Sequence, residues 1–364
     1  MAIKLHHIAV VCNYQLLPNR IGGMDYFFWA FDAACKKEGI AVDWFFPNRV
    51  DFGGYKDLCI IPNDGRTVEH HFINYLDRNT VDYSHIVTHF VELCTSFYKA
   101  IKKNQQVKII AVDHNPRPLN GYTLQKRLKK RIKGVLYSNY IDVFVGVSEY
   151  SKIHLLNDYG KTLLTKIEII YNGVNEKELL QKKEFNFKGK FIVACHLRKE
   201  KGVQYLIDAI SNLEKELLNN VSIDIYGGGP YESFLKQKSK YYNLESIINF
   251  KGSTDALNTL YCKYDYLIHP SLGETFCYSV VEAVLSNLPV ITTANAGNVL
   301  GLIKNGINGC LFNERDSDNL SLIIKRIISK EIDISSADMD SVKQPDLSLS
   351  NMVDKHLELV KNVI

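Results

Sequence analysis

The feature that most constrains the fold of this chain is an alternation of short apolar runs with longer amphipathic stretches. In the first half, the apolar runs have the length of strands: Ile8–Cys12, Val42–Phe46, Ile86–Thr88, Val107–Val112 and Val143–Val147. Runs that are mostly apolar are typical of parallel strands covered on both faces of a sheet. Their alternation with helical patterns, the first at Met24–Glu38, predicts βαβ units.

The alternation restarts after a polar, lysine-rich stretch at Asn175–Lys190, which we interpret as a linker. The second set of predicted strands is Phe191–Ala194, Ser222–Tyr226, Ile248–Phe250, Tyr266–His269 and Val290–Thr292, with a helix over Val203–Leu217. A chain of 364 residues is long for a single core. We therefore predict two α/β domains, residues 1–178 and 179–347. A loop is expected at Asp333–Leu347, before a last helix within residues 348–364.

Composition is that of a soluble globular protein, with 46% hydrophobic and 23% charged residues. The apolar run at Ile8–Cys12 is too short for a secretory signal, and no later run reaches the length of a membrane helix. The eight cysteines occur singly, so neither a disulfide framework nor a Cys-x-x-Cys metal site is indicated. These features predict a cytoplasmic protein with no required metal.

The most informative segment for function is Gly273–Ala283, which follows the predicted strand ending at His269. A loop that leads into a helix N-terminus presents free N–H groups and the positive end of the helix dipole to an anion such as a diphosphate. The carboxylate of Glu274, at the start of this helix, can accept hydrogen bonds from sugar hydroxyls. Glu282 lies about two turns further along roughly the same face.

With this Glu-x7-Glu motif the chain resembles family 4 of the retaining glycosyltransferases, and the resemblance covers nearly the whole chain. Further segments match in the family's order: Gly22-Gly23, Val147-Ser148, Asn172–Asn175, Lys201-Gly202, Gly227–Pro230 and Asn308-Gly309. The resemblance implies the GT-B fold, in which two Rossmann-like α/β domains face a central cleft. It also implies that the last helix, 348–364, packs back on the first domain.

The resemblance assigns roles to residues of the second domain. Glu274 would contact the donor sugar and Glu282 the ribose of the nucleotide. Lys201 would neutralise the diphosphate as it leaves, because developing charge needs preorganised positive charge. Backbone amides around Phe276 and Cys277 would hold the diphosphate. Further donor-binding residues would be Thr275 and Gly229.

The resemblance also assigns residues of the first domain and one departure from the family. Gly22 and Gly23 would allow backbone approach to the phosphates, and His114 would lie beside the transferred sugar. The arginine usual in the family five residues before Lys201 is replaced by His196. Arg198, two residues further on, is the alternative candidate for that role.

The implied function is transfer of a sugar from a nucleotide-diphosphate sugar, UDP- or GDP-linked, to a hydroxyl of a saccharide or lipid-linked acceptor. The implied process is cell-surface polysaccharide biosynthesis, with no cofactor required. Two alternatives stay open: a non-catalytic homologue that binds saccharide or nucleotide, and another GT-B enzyme such as a nucleotide-sugar epimerase or phosphorylase. A nicotinamide cofactor is not indicated, because Glu232 occupies the third glycine position of a dinucleotide fingerprint.

Four of the candidate site residues also have a purely structural interpretation. Glu274 and Glu282 would then be a helix-capping carboxylate and a surface glutamate. Lys201 would be a solvated loop residue, and His114 a hydrogen-bonded loop histidine.

A basic amphipathic helix is predicted at 123–137. No acidic residue occurs between Asp113 and Asp142, and the segment carries six Lys or Arg residues. Its leucine, isoleucine and valine residues recur at helical spacing, as in helices that lie on anionic membranes. We predict docking on the inner face of the plasma membrane. The alternative is a domain helix that packs its apolar stripe inward. Nucleic acid is not indicated, because no interleaved aromatic platform is present.

Overall fold

The computed structural model describes residues 6–18, 21–63, 65–219 and 221–361. The chain forms two compact units. The first unit comprises the residues up to Gly173 together with those from Leu347 onward, and the second comprises Val174–Asp346. The boundary expected after residue 178 therefore falls inside the second unit.

The first unit is built on a seven-stranded parallel sheet, in the order β3-β2-β1-β4-β5-β6-β7. Its strands are β1 (His6–Cys12), β2 (Ile40–Phe45), β3 (Cys59–Ile60), β4 (His85–His89), β5 (Lys108–Asp113), β6 (Val143–Gly146) and β7 (Ile167–Ile169). Its helices before the second unit are α1 (Gly23–Lys37), α2 (Val68–Arg78), α3 (Ser96–Asn104), α4 (Leu124–Tyr137) and α5 (Glu149–Tyr159). Short 3-10 turns cover Gly53–Asp57, Ser138–Tyr140 and Lys161–Lys166.

Both faces of this sheet are buried, as the apolar runs predict. Along β1, Ile8 and Val10 belong to a core that includes Phe27 and Phe28 of α1. The intervening residues of the strand, Ala9 and Val11, belong to a second core that contains residues of α2, α3 and α5. Because successive side chains of a strand point to opposite faces, the strand has no solvent-facing side.

The second unit is a six-stranded parallel sheet in the order β10-β9-β8-β11-β12-β13. Its strands are β8 (Lys190–Ala194), β9 (Ser222–Tyr226), β10 (Ile248–Gly252), β11 (Tyr266–His269), β12 (Val290–Thr293) and β13 (Gly309–Phe312). Its helices are α6 (Val203–Ser211), α7 (Lys215–Leu218), α8 (Glu232–Tyr241), α9 (Leu257–Leu260), α10 (Tyr278–Leu285), α11 (Ser317–Ile328) and α12 (Ser336–Ser341). Short 3-10 turns cover Glu176–Glu178, Lys199–Lys201 and Tyr261–Lys263.

The last helix, α13 (Leu349–Lys361), belongs to the first unit. The ring of its His356 lies 4.8 Å from that of Phe27 on α1, and Lys361 Nζ lies 2.6 Å from Glu38 Oε2. The helix was expected within residues 348–364, of which 362–364 lie outside the described residues. None of the described helices is long and apolar enough to cross a bilayer.

Three sequence-based expectations are corrected by the structure. The stretch Asn175–Lys190 is not a free linker, because the backbone of Leu180 bonds Asn258 and the buried ammonium of Lys182 bonds the carbonyl of Tyr264. The helix expected over Val203–Leu217 is broken into α6 and α7. At the break, the side-chain amide of Asn212 donates to Asp318, 3.0 Å away. The loop expected at Asp333–Leu347 contains α12, which Ser335 caps.

The strand orders define one switch point in each sheet. In the second unit the chain runs from β8 outward through β9 and β10, then returns to the other side of β8 with β11. The loops after β8 and β11 therefore leave the carboxyl end of the sheet on either side of this switch point, where open α/β sheets bind their ligands. In the first unit the corresponding position lies between β1 and β4.

Candidate functional site

The loops that follow β8 and β11 are joined to each other at the switch point of the second unit. The backbone N–H of Leu272 donates to the carbonyl of Glu200, 2.8 Å away. Gly202 has a φ of +72°, and a Cβ at this position would lie 1.9 Å from the carbonyl oxygen of Pro270. Only glycine permits this close approach, which brings the residue before it, Lys201, against the loop after β11.

Lys201 and Glu274 form a largely buried ion pair at this place, with 2.5 Å between Nζ and Oε1. The same carboxylate oxygen lies 3.0 Å from Nε2 of His269, the last residue of β11. Burial acts to raise the pKa of Glu274, but the Lys201 charge and the His269 hydrogen bond outweigh it and hold this pKa at about 2. Burial lowers the pKa of Lys201 and Glu274 raises it, and on balance this pKa lies above its usual value. Both groups are therefore charged at neutral pH.

The N-terminus of α10 adds further positive potential beside this pair. Cys277 caps the helix in the left-handed conformation, with a φ of +71°. The hydroxyl of Ser279 donates to the carbonyl of Ala194, 2.6 Å away, and so ties the first turn to the end of β8. The first-turn N–H groups of a helix have no partner within the helix, and the helix dipole adds to their attraction for anions. Lys201 and this helix end are therefore suited to a diphosphate.

His269, Glu274 and Cys277 are also residue types that bind metals. Among the residues that the structure describes, they form the one group of this kind, with ligand atoms within 4.8 Å of one another. However, the Lys201 ammonium already neutralises the Glu274 carboxylate. Burial raises the pKa of the Cys277 thiol well above its usual value, which disfavours the thiolate that metals bind. We interpret the cluster as hydrogen-bonded support for Glu274.

Glu282 occupies a different electrostatic environment from Glu274. Burial raises its pKa to about 7, although the hydroxyl of Tyr261 donates to Oε2 from 2.8 Å and lowers it. Near neutral pH this carboxyl group is therefore present in both protonation states. The two glutamates of the motif differ in charge because, within the part of the chain that the structure describes, Glu274 has a cationic partner and Glu282 has none.

The remaining expected donor-binding residues of this unit lie on the same loops. His196 and Arg198, the two candidates for the role of the missing arginine, follow β8 and are both exposed. Gly229 lies in the turn after β9. This turn packs on the loop after β8, because Leu197 donates its N–H to the carbonyl of Gly228. Thr275 is half-buried and Phe276 is buried, both directly before the α10 cap.

Gly22 and Gly23 lie in the first unit at the start of α1. The N–H of Gly22 donates to the carboxylate of Asp25, 2.9 Å away, and is thereby engaged within the protein. A Cβ at Gly22 would meet no atom within 4 Å, so packing does not require glycine there. Gly23 is the first residue of the helix.

His114 also belongs to the first unit, where it follows β5. Its Nε2 lies 2.9 Å from Nδ1 of His89, and its ring stacks on Phe90 at 4.4 Å. Burial lowers the pKa of His114 to about 3, so the imidazole is neutral. The structure thus places His114 in a buried histidine pair, in which it can offer a hydrogen bond but not a charge.

Sequence reasoning did not assign a role to His269, Tyr261 or His89. His269 and His89 share one signal, a histidine at the end of an otherwise apolar predicted strand. Such a residue is buried by the strand and exposed to the loops at the carboxyl end of the sheet. Tyr261 carries no comparable signal, because its contact with Glu282 joins positions 21 residues apart.

Two family descriptions match successive parts of the chain. A family described as "Glycosyl transferases group 1" matches residues 175–342, and "Glycosyltransferase Family 4" matches residues 21–178. Two uncharacterized glycosyltransferases of Methanocaldococcus jannaschii are 29% and 25% identical over 209 and 179 residues. The two matches cover 56% and 45% of this chain. They also cover 56% and 45% of the relatives, so the chain spans about half the length of these relatives.

Solved structures resemble the chain over almost its whole length. A lipopolysaccharide outer core galactosyltransferase without ligand has a TM-score of 0.74 at 17% identity, covering 98% of this chain and 100% of that one. An Anabaena protein in complex with UDP and glucose has a TM-score of 0.76 at 16% identity, with the same coverage. The predicted α/β fold of the GT-B class is confirmed.

The pairing of Lys201 with Glu274 predicts a pH-dependent effect of replacing the lysine. In Lys201→Met the buried carboxylate loses its partner, which should lower the free energy of unfolding of the second unit by about 3 kcal/mol at pH 7. The folded-state pKa of Glu274, about 2, lies below its ordinary value of 4.5. The stabilisation is therefore complete above pH 4.5 and is lost as the pH falls towards 2. Urea unfolding at pH 7 and pH 3 should show the difference between variant and wild type shrinking.

The matched control is Lys199→Met, which removes an exposed lysine from the same loop. This control should leave the unfolding free energy within about 0.5 kcal/mol of the wild type at both pH values. A loss in Lys201→Met that stays the same from pH 7 to pH 3 would contradict the ion pair.

Proposed function

The chain belongs to the glycosyl transferases group 1 family, and we propose that it is a retaining glycosyltransferase that uses a nucleoside-diphosphate sugar as donor. The matches to the two family descriptions together span residues 21–342. The observation that carries the proposal is the Lys201–Glu274 ion pair beside the N-terminus of α10, at the switch point of the sheet. The nucleotide would be UDP or GDP.

The second unit offers a separate group to each part of such a donor. The first-turn N–H groups of α10 and the Lys201 ammonium suit the diphosphate. The carboxylate of Glu274, with its lowered pKa, is ionised at neutral pH and can accept hydrogen bonds from sugar hydroxyls. Glu282, further along α10, would accept hydrogen bonds from the ribose. The UDP and glucose bound by the similar Anabaena protein support a donor of this chemistry.

Catalysis would come from charge stabilisation and positioning. As the bond between the anomeric carbon and the diphosphate oxygen breaks, Lys201 and the helix end offset the charge on the leaving group. The acceptor hydroxyl would attack the anomeric carbon on the face from which the diphosphate leaves. Because attack and departure take place on the same face, the configuration is retained without a covalent enzyme intermediate. A diphosphate oxygen would take the proton of the acceptor hydroxyl. His269 would hold Glu274 in the orientation that the sugar requires, and no metal or cofactor takes part.

The acceptor would be a saccharide or a lipid-linked saccharide in cell-surface polysaccharide biosynthesis, with the enzyme on the cytoplasmic side of the membrane. The fold shared with a lipopolysaccharide outer core galactosyltransferase supports this assignment. His114 would lie beside the transferred sugar as a neutral hydrogen-bonding group. In the first unit, the backbone amides near Gly22 and Gly23 would be phosphate donors once the hydrogen bond from the Gly22 N–H to Asp25 is broken.

Replacing Glu274 with Gln tests the site. The amide keeps the shape of the side chain but loses the negative charge. That charge pairs with Lys201 and strengthens the hydrogen bonds that the sugar hydroxyls donate to the carboxylate. We expect kcat for transfer, or for slow hydrolysis of the donor, to fall by about 100-fold or more. The circular dichroism spectrum should stay unchanged.

Glu245→Gln, at an exposed glutamate of the same unit, is the matched control and should keep full activity. Near-normal turnover in Glu274→Gln would refute the assignment. Product formed from the nucleotide sugar alone, with no acceptor and no hydrolysis, would indicate an epimerase. Absence of any donor binding would indicate a non-catalytic homologue.

The raised pKa of Glu282 predicts a pH-dependent affinity for UDP. Ribose hydroxyls donate more strongly to a carboxylate than to a neutral carboxyl group. Because this pKa is about 7 in the free protein, affinity should weaken as the pH falls from 8 to 6, by up to about tenfold. Isothermal titration with UDP at the two pH values measures this change.

The Glu282→Gln variant separates this effect from the titration of UDP itself. The variant should bind UDP more weakly at pH 8, and its affinity should change less between pH 8 and pH 6. An identical pH dependence in variant and wild type would contradict the proposed contact with ribose.

A further inference from the structure

Helix α4 is attached to the first unit along one narrow face. Gly134 lies against α5 so closely that a Cβ would come 2.0 Å from the carbonyl oxygen of Tyr159. One turn earlier, Lys130 Nζ lies 3.3 Å from Asp158 Oδ2 and 3.1 Å from the hydroxyl of Tyr159. Arg131 also donates to the carbonyl of Leu156 on α5, 3.2 Å away. A glycine and cationic side chains, rather than the leucines of the helix, therefore make the contact with α5.

The apolar residues of α4 point away from the protein. The exposed fractions of Leu124, Val135 and Leu128 are 81%, 75% and 63%, and Ile132 and Leu136 are also exposed. At about 100° per residue these five positions span an arc of roughly 120°, opposite to the face of Lys130 and Gly134. The alternative that the apolar stripe packs inward is thus wrong. A contiguous row of exposed large apolar side chains on a protein surface marks an interaction site.

Cationic side chains border this apolar arc. By the same helical geometry, Lys129 follows one edge of the arc and Arg131 the other, where Arg131 is exposed and also donates to the carbonyl of Leu156. Arg127 is exposed next to Arg131, on the side of Gly134. No acidic residue lies in the 28 positions from 114 to 141. Two lysines outside the arc pair with acidic residues of the protein, Lys133 with Glu92 and Lys130 with Asp158.

We propose that α4 docks this protein on an anionic lipid surface. The leucine, isoleucine and valine side chains would enter the boundary between head groups and acyl chains, while the flanking Lys and Arg side chains bind lipid phosphates. A helix lying in this plane needs an apolar arc facing the lipid and positive charge at both edges, and α4 has both. This inference concerns a surface of the first unit and does not depend on the donor chemistry of the second.

The same features disfavour other occupants of this surface. A second copy of the chain, pairing through α4, would bring two rows of Lys and Arg together without acidic partners. A nucleic acid would meet the charges but would leave five large apolar side chains in water. An anionic membrane satisfies both parts of the surface at once.

Sedimentation with lipid vesicles tests the proposal directly, with no donor or acceptor present. The wild type should bind vesicles that contain about one third phosphatidylglycerol at least tenfold more tightly than pure phosphatidylcholine vesicles. Binding should weaken in 0.5 M salt, because salt screens the head-group contacts. The double variant Leu128→Ser with Val135→Ser should lose at least tenfold in binding. The variant Arg127→Gln with Lys129→Gln should lose the preference for anionic lipid.

Matched controls carry comparable substitutions outside α4. Leu164→Ser with Leu322→Ser removes two leucines that are also exposed, and Lys240→Gln with Lys343→Gln removes two exposed charges. Both should bind like the wild type. Donor hydrolysis without vesicles should be unchanged in all four double variants, which separates this proposal from the proposed function.

Two outcomes would overturn the proposal. The first is absence of binding to anionic vesicles, or equal binding by Leu128→Ser with Val135→Ser. The second is a concentration-dependent dimer, seen by analytical ultracentrifugation and abolished by the same two serines, with no binding to vesicles. That result would assign the surface to a second copy.

Discussion

Burying the carboxylate of Glu274 in the second unit requires a cationic partner, and the sheet topology supplies it. A buried, unpaired carboxylate would be strongly destabilising, or would bind a proton and lose its charge. Lys201 arrives from the loop after β8 and Glu274 from the loop after β11, on either side of the switch point. The close approach at Gly202 makes their meeting possible. The charged state of the site therefore depends on the order of the strands and on one residue without a side chain.

The two units use the carboxyl ends of their sheets for different chemistry. The second unit concentrates charge, with Lys201, Glu274 and the N-terminus of α10 close together. The first unit has a buried histidine cluster near the corresponding position, formed by His89 and His114 and completed by His356 from α13. Burial lowers the pKa of all three histidines, so the cluster is neutral. One unit is thus suited to an anion, and the other to neutral hydrogen bonding.

Much of the fold could be predicted from the sequence, because strands buried on both faces are recognisable as continuous apolar runs. The strands that were missed lack that signal. β3 has two residues, β7 has Glu168 at its centre, and β13 begins at Gly309. The linker at Asn175–Lys190 was misjudged because its polar residues bond the second unit, which composition does not reveal.

The site was predictable only as far as local pattern reaches. The Glu-x7-Glu segment could be found because its residues share one loop and helix. The partners His269 and Tyr261 depend on tertiary contacts, and the different pKa values of Glu274 and Glu282 depend on burial. In α4, helical spacing revealed an amphipathic helix but not which face is turned inward. That choice is made by Gly134, where only a glycine fits against Tyr159.

The central claim is that the second unit binds a nucleoside-diphosphate sugar through Lys201, Glu274 and the start of α10 without a metal. A screen of UDP-, GDP-, ADP- and dTDP-sugars by thermal shift and slow hydrolysis, with and without a chelator, tests it most directly. The account predicts that one nucleotide series raises the melting temperature and that one of its sugars is hydrolysed, equally with the chelator present. No stabilisation by any nucleotide sugar, or turnover that is abolished by the chelator, would contradict it.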